Sequence, residues 1–161
     1  MILGMPPFTF VHVLLSLIGI AAGIIVVLGM LANKRLGALT SLFLWTTVLT
    51  SATGFLLPAA HLMPSHILGI LSLIALIVAI VALYTKRLAG GWRRAYAITA
   101  VIALYFNVFV LIAQCFEKVP SLHVLAPTGT ETPFKIAQGV NLLIFLVLGT
   151  AAARSFRSDA S

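Results

Sequence analysis

Five stretches of this chain, residues 8–32, 37–57, 67–84, 95–116 and 136–153, contain no lysine, arginine, aspartate or glutamate. A hydrocarbon core about 30 Å thick needs about 20 apolar residues of helix at about 1.5 Å each. Each stretch meets or approaches that length, so the sequence predicts an all-α integral membrane bundle of five transmembrane helices in one domain covering residues 1–161. Only 8% of the residues are charged and 61% are hydrophobic. Soluble domains carry about a quarter charged residues, so this chain is too poor in charge to dress a water-facing surface. The first run has no basic segment before it and ends in Asn33-Lys34-Arg35 rather than at a small-residue cleavage site, so it reads as a span and not as a signal peptide. Pro58, Pro64, Pro120, Pro127 and Pro133 are expected in the connections, where a missing N–H does little harm.

The connections also set an orientation. Lys34 and Arg35, then Lys86, Arg87, Arg93 and Arg94, then Arg154 and Arg157 fall on one side, against Lys118 and Lys135 on the other. Positive charge stays cytoplasmic, which predicts an N-terminus outside, a C-terminus in the cytoplasm and a multi-pass protein of a bacterial inner membrane. The same distribution accounts for the net charge of +7 without nucleic acid. The partners expected are the lipid bilayer and either a further copy of the chain or a membrane-complex partner. Trp92, Arg93, Arg94 and Tyr96 read as an interfacial anchor. Gly19 and Gly23 form a GxxxG pair, and Gly54, Gly69 and Gly149 offer further close helix approaches. A single cysteine, Cys115, excludes an internal disulfide and reads as a small apolar side chain.

The candidates for chemistry sit at the outer end. His12 lies about one turn inside the first span, and His66 opens the third. Imidazole ligates heme iron, zinc or copper, so this pair is the first choice for one heme b or a divalent metal ion, with His61 and His123 weaker because both lie in loops. No HExxH or other tight ligand spacing accompanies them. Asn107 and Gln114, seven residues apart, share one helix face; Gln138 and Asn141, three apart, share another; Thr46, Thr50 and Thr53 make a third polar stripe. Polar side chains avoid lipid, so these faces should turn inward. With Gln114 and Gln138 both near the outer surface, they outline a pocket suited to a quinone headgroup or small solute. The competing reading is plain interhelical hydrogen bonding, worth about 0.6 kcal/mol per bond. Between Glu117 and Lys135 runs a long loop, which Leu122, Val124, Leu125 and Phe134 are expected to fold over the bundle mouth.

Several short runs resemble a family of small uncharacterised proteobacterial inner-membrane proteins: Thr53-Gly54-Phe55, Pro64-Ser65-His66-Ile67-Leu68-Gly69, Gly91-Trp92-Arg93, Ala103-Leu104-Tyr105-Phe106-Asn107 and Leu125-Ala126-Pro127-Thr128. That resemblance covers most of the chain and implies a membrane bundle without naming a reaction. More distantly, Lys34-Arg35-Leu36-Gly37 ahead of Thr53-Gly54-Phe55 is similar to heme-binding bundles of the cytochrome b561 type. Those carry histidines near both membrane faces, whereas here all four lie toward one, so the likeness implies one heme at most, on the outer side.

Three functions follow as expectations. The first is an accessory or structural membrane subunit with a periplasm-facing polar pocket. The second is a redox or cofactor-binding protein using His12, His66, Gln114 and Gln138. The third is an oligomeric channel or small-solute carrier, although the odd number of spans and the lack of an internal repeat argue against an inverted-repeat transporter, and the lack of intramembrane charge against coupled transport.

Overall fold

The computed structural model describes residues 1, 4–57 and 64–157. Among these the chain is wholly helical, in the order α1 (Pro7–Leu31), α2 (Gly37–Gly54), α3 (Pro64–Ile80, running on through a π-helical turn at Val81–Thr85), α4 (Trp92–Lys118), the short α5 (Pro120–His123) and α6 (Thr132–Ser155). Four of these segments, Pro7–Leu31, Pro64–Thr85, Trp92–Lys118 and Thr132–Ser155, are long and apolar enough to cross a membrane. They mark the chain as a multi-pass membrane protein. Of the prolines expected in connections, Pro64, Pro120 and Pro133 stand instead in the first turns of α3, α5 and α6, as Pro7 does in α1; Pro127 keeps to a turn, and Pro58 lies outside the described residues. Proline suits a first turn, because its fixed φ is already helical and its missing N–H is one that turn would leave unpaired.

The pattern of α2 is inverted relative to that of a water-soluble helix. Thr40, Thr46, Thr47, Thr50 and Ser51 are buried, while Leu42, Trp45 and Leu49 point outward along one stripe. Some of the inward hydroxyls are satisfied locally: Thr46 Oγ1 donates to the Leu42 carbonyl at 2.6 Å. Polar groups turned in and bulky apolar groups turned out is the arrangement a bilayer favours and water does not.

Packing is built on small residues. α1 lies most extensively along α2, and α4 packs against α3, α6 and α1. Gly19 and Gly23 are buried on α1, and each lets a neighbour in. A methyl on Gly19 would lie 3.0 Å from Thr46 Oγ1; on Gly23 it would lie 2.7 Å from Leu104 Cδ1 and 2.8 Å from the Phe43 ring. Around that contact sit Phe43, Leu44, Leu76 and Leu104, all essentially without exposure. α6 joins the bundle through ring contacts spaced along its length: Phe134 edge-on to Phe116, Phe145 on Tyr105, and Phe156 on Tyr96. Tyr96, expected as an interfacial anchor, is therefore a core residue at 2% exposure, with the Phe156 ring packed against that of the tyrosine. Trp92 does remain exposed, with Lys86 Nζ 5.5 Å from its ring centroid.

Eight of the ten basic residues gather at one end of the bundle. Asn33, in the left-handed region at φ 52° where asparagine is better tolerated than most residues, accepts the Arg157 N–H at 2.7 Å, and Ser41 bonds Tyr84 at 2.9 Å. The chain ends of α1, α3 and α6 thus meet there.

The connection from α4 to α6 is partly ordered by α5. Its expected apolar cover holds only in part: Phe134 packs on Phe116 and Leu122 is half-buried, but Val124 is 78% exposed and Leu125 52%, and Ala126 is buried instead. The loop needs polar closure instead, and Glu131 supplies it by accepting from the Thr128 hydroxyl at 2.7 Å, the Thr128 N–H at 3.1 Å and the Thr130 N–H at 3.0 Å. The Thr128 hydroxyl is the main cause holding this carboxyl down to about 2, from an ordinary 4.5. A depressed folded-state value means that the loop's closure is at full strength above 4.5 and is lost as pH falls through about 2. The amide proton shifts of Thr128 and Thr130 should therefore titrate with a midpoint near 2 and lose that transition in Glu131→Gln. A midpoint at the ordinary carboxylate value would show that the loop does not hold this geometry.

Candidate functional site

At the end opposite the basic cluster, a cavity of about 380 Å³ opens between α1, α2, α3 and α4. Small-molecule sites run from about 300 to 1,000 Å³, so this one suits a small ligand or a headgroup. Its walls are mostly apolar, with Val13, Leu17, Phe55, Phe106 and Leu111 among them. Into them are set a few polar groups from four different helices.

α1 contributes His12 and Ser16, which are four residues apart and so stacked on one face. His12 Nδ1 lies 2.9 Å from Thr53 Oγ1. The Thr53 hydroxyl has one proton, and it is committed to the Leu49 carbonyl at 2.6 Å. Thr53 must then accept from the imidazole, which assigns the proton of His12 to Nδ1 and leaves Nε2 as an acceptor. No hydrogen bond to Nε2 occurs among the described residues. A histidine whose one nitrogen is held by a neighbour and whose other is left open is oriented for a ligand. The ring packs beside Gly54, where a Cβ would stand in ordinary van der Waals contact, 3.5 Å from His12 Cε1.

α2 also contributes Thr50 and Ser51. Ser51 Oγ donates to Ser72 Oγ of α3 at 3.3 Å, but Thr50 Oγ1 is buried with no partner among the described residues, in a residue only 7% exposed. A buried hydroxyl without a partner costs about 1–3 kcal/mol, which a ligand atom at that position would relieve. α3 brings His66, whose ring is tilted against Phe55 at 5.6 Å between centroids. α4 brings Asn107, Gln114, Cys115 and Lys118. Asn107 donates to Thr47 Oγ1 at 3.4 Å, leaving its carbonyl oxygen and a second N–H. Gln114 reaches out of the cavity to Glu117 Oε2 at 3.2 Å.

Of the residues expected from the sequence, His12, His66, Asn107 and Gln114 line this one cavity. Gln138 and Asn141 do not, and their assignment to the same pocket is corrected. Gln138 is buried between helices and donates to the Phe109 carbonyl of α4 at 3.0 Å, with Asn141 one turn on. Their inward face meets α4 rather than the space among the other helices. His123 stands on exposed α5, apart from the cavity, and His61 lies outside the described residues. Among the described residues, no group of three or more His, Cys, Asp or Glu side chains is placed to hold a metal ion. Ser16, Ser72 and the pairing of Thr53 with His12 were not singled out from the sequence. Ser16 carried a signal, standing one turn from His12; Ser72 carried none.

No family model matches the chain, and neither a curated protein nor a solved structure is similar to it.

Proposed function

We propose that this is an accessory protein of a bacterial inner membrane, with five spans, that binds the headgroup of a small uncharged amphiphile of the quinone class in its outer cavity. The fifth span is α2. Its 18 residues cover about 27 Å, and it runs between the same two ends as α1, from the basic connection at Leu36 to the His12–Thr53 bond. Its outward stripe of Leu42, Trp45 and Leu49 suits lipid contact. The eight basic residues gathered at the other end support a cytoplasmic C-terminus and a periplasmic cavity.

The observation carrying the binding reading is the set of unfilled hydrogen-bonding positions converging on one apolar cavity. His12 Nε2 offers an acceptor, Thr50 an unpartnered buried hydroxyl, and Asn107 a spare N–H and carbonyl. A six-membered ring bearing oxygens on opposite edges, one as O–H and one as an acceptor, matches that pattern, and the apolar walls suit its ring. The test is equilibrium dialysis of the full-length protein in nanodiscs against a short-chain benzoquinol. Saturable one-to-one binding is expected. Thr50→Val removes the orphaned hydroxyl at nearly constant volume, so it should stabilise the ligand-free bundle by about 1 kcal/mol while weakening binding. Absence of saturable binding would sink the reading.

A single heme is the second reading, favoured by His12 and His66 lining the same cavity and by the likeness to cytochrome b561-type bundles. An absorption spectrum before and after dithionite decides it. A Soret band lost in both His12→Phe and His66→Phe would replace the quinol with a heme.

A further inference from the structure

A second cavity, of about 400 Å³, lies at the basic end of the bundle and takes no part in the outer site. Val26, Met30 and Leu83 form its apolar wall, and the hydroxyl-bearing Ser41, Tyr84 and Tyr96 border it. Lys34, Arg35 and Gly37 line it as well. These three residues bring together charge and an open helix start. α2 begins there with no side-chain cap and no acidic residue in its first turn. The Thr40 N–H bonds the Leu36 carbonyl at 2.7 Å, and the amides of Gly37, Ala38 and Leu39 precede the first bond their own helix can make. The positive end of the helix dipole therefore adds to two cationic side chains at the edge of one cavity.

Nothing among the described residues neutralises that charge. The chain has three carboxylates: Glu117 and Glu131 are at the opposite end, and Asp159 lies outside the described residues.

We infer that this cavity binds a phosphate ester, with the phosphate between Lys34, Arg35 and the first amides of α2 and the attached group along the Val26, Met30 and Leu83 wall. The same chemistry belongs to an anionic phospholipid headgroup and to a free phosphate compound. The apolar wall suits a lipid.

The experiment uses the full-length protein in phosphatidylcholine nanodiscs doped with phosphatidylglycerol. Native mass spectrometry counts the phosphatidylglycerol retained, with and without added inorganic phosphate. The Lys34→Gln/Arg35→Gln variant should lose about thirtyfold in apparent affinity, on two cations near an anionic headgroup. Lys86→Gln/Arg87→Gln removes two cations of the same end that do not line the cavity, and it should lose far less. Retention that persists in added phosphate identifies the lipid as the source. Displacement by phosphate, absent in the Lys34→Gln/Arg35→Gln variant, identifies the free ester as the source. Equal losses in the two variants, or no preference for phosphatidylglycerol over phosphatidylcholine, would reduce the effect to diffuse surface charge and overturn the site. Circular dichroism and unchanged quinol binding in the outer cavity report that each variant is folded.

Discussion

Replacing His12 by phenylalanine is expected to weaken binding of a short-chain benzoquinol by roughly five- to 150-fold, the cost of stranding a buried hydroxyl of the ligand. The direction follows from the proton assignment. With Thr53 accepting from Nδ1, Nε2 offers only a lone pair, so it favours a ligand that donates. The reduced quinol should therefore bind more tightly than the oxidised quinone, which has no proton to give. His12→Phe should erase most of that preference, and Thr53→Val should erase part of it by freeing the ring to rotate and change tautomer. The measurement is a pair of titrations, quinol and quinone, for each of the three proteins. Equal affinity for the two ligands in the unaltered protein would show that His12 does not meet the ligand in this way.

The largest structural effect is expected at the contact between Gly23 and Phe43. Phe43 is wholly buried, and its ring occupies the space a side chain at Gly23 would take. Phe43→Ala should destabilise the bundle by roughly 2–3 kcal/mol. The loss is mainly of packing, because lipid tails offer an alternative apolar environment. Gly23→Ala should cost about 1–3 kcal/mol by overpacking against a ring and Leu104 that are both fixed on their far sides. Gly139→Ala, where nothing lies within 4 Å, controls for the substitution itself. Because the two groups share one volume, Gly23→Leu combined with Phe43→Ala should recover part of what each loses alone. Equilibrium unfolding in mixed micelles measures all of these. Strict additivity would mean that the residues are not neighbours.

The helices were legible because each charge-free run is bounded by prolines or basic residues, and that punctuation survives in the structure to within a few residues. The convergence of Asn107 and Gln114 was legible for a similar reason: a seven-residue spacing puts both on one face of α4 whatever surrounds it. Gln138 and Asn141 obey the same rule, yet face elsewhere. Spacing tells which side of a helix is polar, while the neighbour it meets depends on how that helix is seated, and Phe134, Phe145 and Phe156, eleven residues apart on the same face as Gln138 and Asn141, seat that face on α4. Tyr96 shows the complementary limit. A tyrosine beside Trp92 fits a membrane interface, but the ring that covers it came from Phe156, distant in sequence. The open face of His12 depends on the Thr53 proton being used elsewhere, which no pattern of residue types encodes.

The π-helical turn at the end of α3 has a consequence for how this chain tolerates length changes. There the Lys86 N–H reaches back five residues to the Val81 carbonyl, at 2.9 Å. That is one residue more than an α-helical step, so the turn stores a single-residue insertion without breaking the helix. In an uninterrupted α-helix each residue advances the direction by about 100°, and the extra one shifts the phase of everything after it. Deleting one residue from Val81–Thr85 should restore a regular helix and leave the span intact. It would also re-aim Tyr84, which lies inside the turn, relative to Ser41, while the connection to α4 would keep nearly its present phase. The membrane-crossing part of α3 and the wall it lends to the basic-end cavity are therefore separable, and a one-residue deletion would alter the second while sparing the first.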